Sequence, residues 1–108
     1  MNDERTNDDN NTLRDANNTQ LRMHDVVRID ECDDDVATMT TFRIVAIDVN
    51  ARRVTMHRTH ARIDAYANIV CFVDDANARA LHASFNEIRN ECTLFDIDEY
   101  NTHNTNEQ

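Results

Sequence analysis

Arg52, Arg53, His57, Arg58 and Arg62 crowd into residues 52–62, the one basic stretch of an acidic chain. If this stretch is a strand, alternation turns Arg53, Thr55 and His57 outward together, where guanidinium and hydroxyl groups can donate to phosphate oxygens. The chemistry implied is the binding of an anion or a nucleic acid. Two features oppose a polyanion: the formal net charge is -10, and Tyr66 is the only nearby aromatic able to stack on a base. The plainer alternative is a solvated strand face whose arginines pair with the acidic loop at 30–35.

The matching acidic cluster is Asp30, Glu31, Asp33, Asp34 and Asp35. Clustered carboxylates can stand in for phosphates, so this segment is a candidate surface for a basic protein partner such as a nucleic-acid-binding protein. It is not a calcium loop of the EF-hand type, because the glycine at the tight turn and the closing glutamate are both missing. His57 and His60 have H-x-x-H spacing, yet residues three apart on a strand point to opposite faces. On a helical turn the pair would converge, with Cys71 or Asp64 as a further ligand, but no convincing set of four zinc ligands emerges. Ser84 is the only serine, and His82, two positions away, is not within reach as its base on a strand or on a helix. With Gly absent no glycine-rich phosphate loop exists, and no cofactor is expected. Cys32, Cys71 and Cys92 are too far apart for a zinc knuckle and odd in number for a disulfide framework; Cys71, in an apolar run, reads as buried.

The elements that must position these groups belong to one domain, since 108 residues can bury a single modest core. Apolar residues make up 40% and the mean hydropathy is -0.74. No apolar run approaches the roughly 20 residues of a membrane span, and the polar, acidic start carries no secretory signal, so a cytoplasmic location without membrane contact is expected. Gly, Pro and Trp are absent and all 11 basic residues are Arg, a restricted alphabet. Charge is segregated: residues 1–35 hold eleven acids against four Arg, residues 36–68 two against five, and residues 69–108 eight against two.

Residues 1–20 contain almost nothing apolar and are expected to be a disordered acidic tail, as are residues 101–108; a globular domain spans 21–100. Within it, strands are expected at 25–29, 38–48, 53–59, 69–73 and 93–98. Asn50 is expected to carry a positive φ in the turn between the second and third. Leu81, Phe85, Ile88 and Cys92 recur at helical spacing, which predicts a helix over 76–91; a strand alternative alternates Leu81, Ala83 and Phe85. Under that alternative, DVVRI at 25–29 and CFVD at 71–74 resemble segments of the small YodC-like bacterial β-proteins. The Gly and Trp positions of that pattern are missing here, and no role is carried over from it.

The expected fold is α+β: a small, mainly antiparallel sheet of about five strands with one C-terminal helix packed on it, an all-β small barrel being the alternative. The expected core is Val27, Ile29, Phe42, Ile44, Val45, Ile47, Val54, Met56, Val70, Phe72, Leu81, Phe85, Ile88, Leu94 and Ile97. The functional expectation is a non-catalytic binding module for a basic protein. The alternatives are an anion or nucleic-acid binder using residues 52–62, and a small metal-binding protein or enzyme.

Overall fold

The computed structural model describes residues 12–29 and 39–106. In chain order these form β1 (Val26–Ile29), β2 (Thr41–Asp48), β3 (Arg53–Ile63), β4 (Ile69–Asp74), β5 (Leu81–Ser84), α1 (Phe85–Glu91), β6 (Cys92–Leu94) and α2 (Ile97–Asn106). The expected α+β class holds: the sheet is open and antiparallel, ordered β4-β3-β2-β1-β6. β5 also pairs with β3, on the edge that carries β4, so the two short strands lie end to end along their long neighbour.

Register decides which side chains share a face. The pairs Val27 with Phe42, Ile44 with Met56, Ile47 with Val54, and Val54 with Ala83 set one apolar face. A bulge at Val45 breaks strict alternation in β2. It brings Ile47 onto the same face as Ile44, whereas alternation alone puts Ile47 opposite and Ala46 inward. Against this face pack Phe85 and Ile88 of α1, Cys92 of β6, and Leu13 and Leu21.

The expected helix over 76–91 is half strand. Residues 75–78 turn, residues 81–84 pair with β3, and the helix begins only at Phe85. Its start is set by a capping box: Ser84 Oγ accepts from the Glu87 amide at 3.1 Å, and the Glu87 carboxylate accepts from the Ser84 amide at 2.8 Å. These bonds hold the Glu87 carboxyl below its ordinary 4.5. Seven helical residues suffice because Phe85 and Ile88 both bury.

Residues 12–20, expected to lie outside the domain, are packed. Leu13 and Leu21 are buried on either side of a tight loop, closed by the Leu21 amide donating to the Leu13 carbonyl at 2.8 Å. Asp15 organises the loop from inside, at 1% exposure. Its Oδ1 accepts from the amides of Asn17 (2.9 Å) and Thr19 (2.8 Å), and its Oδ2 accepts from Leu94 of β6 (2.8 Å). At the other end, α2 continues past position 100, and Asn101 brackets Ile69 of β4, accepting from its amide and donating to its carbonyl at 2.8 and 2.9 Å. One side chain thus occupies part of the exposed edge of β4, a common protection for an edge strand.

Candidate functional site

The opposite face of the sheet buries polar as well as apolar side chains, Thr41 and Thr59 as well as Ile69 and Phe72. Thr41 and Thr59 are opposed in register and share a hydroxyl–hydroxyl bond of 2.7 Å. Arg43 reaches from β2 over β3 to β4, donating to Asp74 Oδ1 at 2.9 Å and to the Phe72 carbonyl at 2.8 Å. Phe72, Phe95 and Tyr100 stack beyond it, with ring centroids 5.2 and 5.7 Å apart. A cavity of about 660 Å³ opens between Arg43, His24, Phe72 and Phe95. Its walls also carry Asp25, Asp96 and Asp98, so the charges in it are mixed.

The five basic candidates do not form one patch. Arg53 lies between Asp48 and Ser84 in register and is exposed; His57, on the same face, opposes Arg43 and is half-buried. Arg58 opposes Phe42 on the other face and donates to the Thr59 carbonyl at 3.4 Å. Arg62, exposed, shares that face and opposes Cys71. Arg52 lies in the β2–β3 turn, where it, and not Asn50, takes the left-handed φ of 53°. There it lines a cavity of about 400 Å³ with Arg14 and Arg89, two arginines outside the predicted stretch. The acidic candidates Asp30, Glu31, Asp33, Asp34 and Asp35 lie outside the described residues.

The H-x-x-H pair separates as alternation requires. His60 Nε2 meets Asp75 Oδ2 at 2.9 Å, and this bond, followed by the Asn77 amide, holds the Asp75 carboxyl below its ordinary 3.8. His82 Nδ1 bonds Thr55 Oγ1 at 3.1 Å, away from Ser84, whose hydroxyl is engaged in the capping box. Among the described residues no group of three His, Cys, Asp or Glu side chains converges as a metal site would need. Cys71 is exposed, which corrects the buried assignment; Cys92 is buried, and burial, with nearby carboxylates, pushes its thiol up to about 11. No described helix is long and apolar enough to cross a membrane.

Two expected core residues are on the outside. Val70 is 63% exposed and Leu81 39%, and with Ile63, Tyr66 and Val73 they make up five of the seven exposed large apolar side chains among the described residues. All five belong to the β3–β4 hairpin and to β5. An apolar run of five residues reads as a strand buried on both faces, but here the hairpin extends beyond β2, which pairs with β3 only as far as Thr59. One signal was present in the sequence: Asp64 and Tyr66 are polar neighbours ill suited to a segment entering a core. No family model matches the chain, and neither a curated protein nor a solved structure matches it.

Proposed function

We propose that the protein is a non-catalytic binding module whose β3–β4 hairpin docks a basic protein. The observation that carries this reading is the number of exposed apolar side chains on that hairpin: Tyr66 at 71% and Val70 at 63%, with Ile63 and Val73 also exposed. Isolated exposed apolar residues need no explanation, but a cluster on one projecting hairpin is the composition of an interface. The field of a chain of net charge -10 steers cationic partners and repels acidic ones. The described carboxylates Asp15, Asp48 and Asp64 accept backbone N–H bonds in their own loops, so part of the acidity serves the fold and the remainder supplies steering.

Selection of displayed random peptides on the intact protein tests this reading. Enriched sequences are expected to combine Arg or Lys with apolar anchors, to bind less tightly as salt rises, and to lose about tenfold or more in affinity to a Val70→Asp variant. Enrichment of Asp- and Glu-rich sequences, or undiminished binding by Val70→Asp, overturns it. One observation favours a second reading on the same hairpin. Arg58, His60 and Arg62 share a face of β3, so an acidic segment or nucleic acid could lie along it. Binding of single-stranded RNA that Arg62→Gln weakens and Val70→Asp does not would select that alternative.

A further inference from the structure

The cavity of about 660 Å³ beside Arg43 joins two kinds of wall. One is apolar, with Phe72 of β4 and Phe95 meeting edge to face, ring centroids 5.2 Å apart. The other is acidic: Asp25 stands just before β1, Asp96 just before α2, and Asp98 in the first turn of α2. Arg43 lies at the same cavity, but its charge is answered from β4 by Asp74 Oδ1 at 2.9 Å, with the Phe72 carbonyl accepting a second bond at 2.8 Å. The three aspartates are left to set the sign of the field.

Asp25 and Asp96 each commit one oxygen to the backbone: Asp25 Oδ2 accepts from the Arg22 amide at 2.8 Å, and Asp96 Oδ1 from the Glu99 amide at 3.2 Å. An ionised carboxylate has about four acceptor sites, so both keep capacity for a further donor. Phenyl rings present a negative face that attracts organic cations. A cation on an apolar stem therefore gains from both walls, its stem on the rings and its head on the carboxylates.

We propose that this cavity receives an arginine side chain of the basic protein partner. The inference rests on the basic-partner reading above and adds the place where the partner's charge is taken up. Arginine fits better than lysine, because a guanidinium is planar, stacks on aromatic faces, is more weakly hydrated and bonds carboxylates in pairs. The volume falls in the range of about 300–1,000 Å³ usual for a ligand pocket. Val70 lines the cavity and is also exposed on the β3–β4 hairpin, so one segment of a partner can reach both.

NMR titration of the intact, isotope-labelled protein with N-acetyl-arginine amide tests the assignment. N-acetyl-citrulline amide serves as an uncharged probe of similar shape, and agmatine as a free organic cation. Saturable shifts at the amides of Phe72, Phe95 and Ile97 are expected with the arginine amide, with a Kd of about 1–10 mM and at least about tenfold weaker binding of the citrulline amide. Asp96→Asn keeps an oxygen for the Glu99 amide and Asp98→Asn alters an exposed side chain, so the double variant should fold as before and bind about fivefold or more weakly. Phe95→Leu keeps the wall apolar but removes a ring, and should weaken binding about threefold. Asp48→Asn removes a charge at the β2–β3 turn while keeping an oxygen for the Ala51 amide, and should change binding by less than about 1.5-fold.

Equal binding of the citrulline amide, no saturation by the arginine amide up to about 50 mM, or an equal loss in Asp48→Asn overturns the proposal. So does agmatine binding more than about tenfold tighter than the arginine amide, which would mark a site for a free organic cation. The arginine amide carries no apolar anchor for the hairpin, so its failure to bind strikes this cavity alone. The basic-partner reading is decided separately, by the composition of the selected peptides.

Discussion

β3 is one strand living in two environments. From Arg53 to Thr59 it is paired with β2 on one edge and largely covered by β5 and the end of β4 on the other, and its inward side chains Val54 and Met56 are 1% and 0% exposed. From His60 to Ile63 it has β4 alone, and Ile63 is half exposed. The difference follows from strand length: β2 ends its pairing at Thr41, so the last turn of β3 runs past its neighbour and carries β4 with it. The same strand thus supplies the stabilising core at one end and an exposed apolar surface at the other. It teaches that apolar character along this chain does not by itself mean burial.

The sharpest way to break that division is a pair of truncations read by urea denaturation. Met56→Ala empties a fully buried site between Ile44, Val54 and Leu81 and should cost about 3 kcal/mol. Val70→Ala removes an exposed side chain and should change stability by less than about 0.5 kcal/mol. Comparable losses from the two variants would show that the distal hairpin is as deeply committed to the core as the proximal half.

Next in size is Asp15, which ties the N-terminal loop to β6 at the proximal end. Removing a buried carboxylate that satisfies three backbone amides leaves all three donors stranded, so Asp15→Ala should cost about 2–3 kcal/mol. Asp15→Asn can keep one oxygen on the amides of Asn17 and Thr19, but it turns an NH₂ group toward the amide of Leu94, and its loss should fall in between. If Asp15→Ala is neutral, the loop with Leu13 and Leu21 contributes nothing to the proximal core.

Much of the proximal half was legible from residue pattern alone. The alternation of Val54 and Met56, and the helical spacing of Phe85 with Ile88, identified core residues and the α+β class. What escaped had physical reasons. Leu13 and Leu21 are isolated in polar sequence, and they turn inward in a loop held by backbone bonds and by the three-way hydrogen bonding of Asp15, invisible in composition. The bulge at Val45 changes register by one residue, and no local propensity announces it. Residues 81–84 carry helix-favouring Leu and Ala yet pair with β3, because Ser84 and Glu87 together fix the helix start after them; that S-x-x-E signature was in the sequence. The three-arginine cavity was the least legible feature, since its members are separated by 38 and 37 positions and meet only through the fold.

A smaller effect separates local from global stability in the distal half. Ala67 closes the β3–β4 loop at φ 65°, its amide donating to the Asp64 carbonyl, while Asp64 Oδ1 accepts from Tyr66 and Asn68. In a chain without glycine this loop depends on Asp64 to hold alanine in a left-handed conformation. Ala67→Gly removes the steric cost, partly offset by greater unfolded-state entropy, and should raise stability by about 0.5–1 kcal/mol. Ala51→Gly should give no such gain, because the positive φ of the β2–β3 turn falls on Arg52. An Ala67→Gly protein with more protected hairpin amides but an unchanged urea midpoint would show that the distal hairpin opens on its own before the body unfolds.

The smallest effect contrasts two carboxyls, one in each half. Glu87 caps α1 behind the proximal core, and Asp75 pairs with His60 where β4 gives way to β5. Both are held below their ordinary values of 4.5 and 3.8, so the folded protein binds fewer protons there than the unfolded chain. Stability is therefore fully present above those ordinary values and is lost as pH falls through the lowered ones. Glu87→Gln keeps an oxygen for the Ser84 amide, so the capping box survives at neutral pH. It removes one proton-binding difference, and the fall in stability below pH 4.5 should become shallower. Asp75→Asn should flatten the curve at lower pH, below 3.8. If Glu87→Gln flattens the acid limb and Asp75→Asn does not, acid unfolding of the body is controlled at the helix cap, and the distal hairpin has already separated from it before Asp75 takes up its proton.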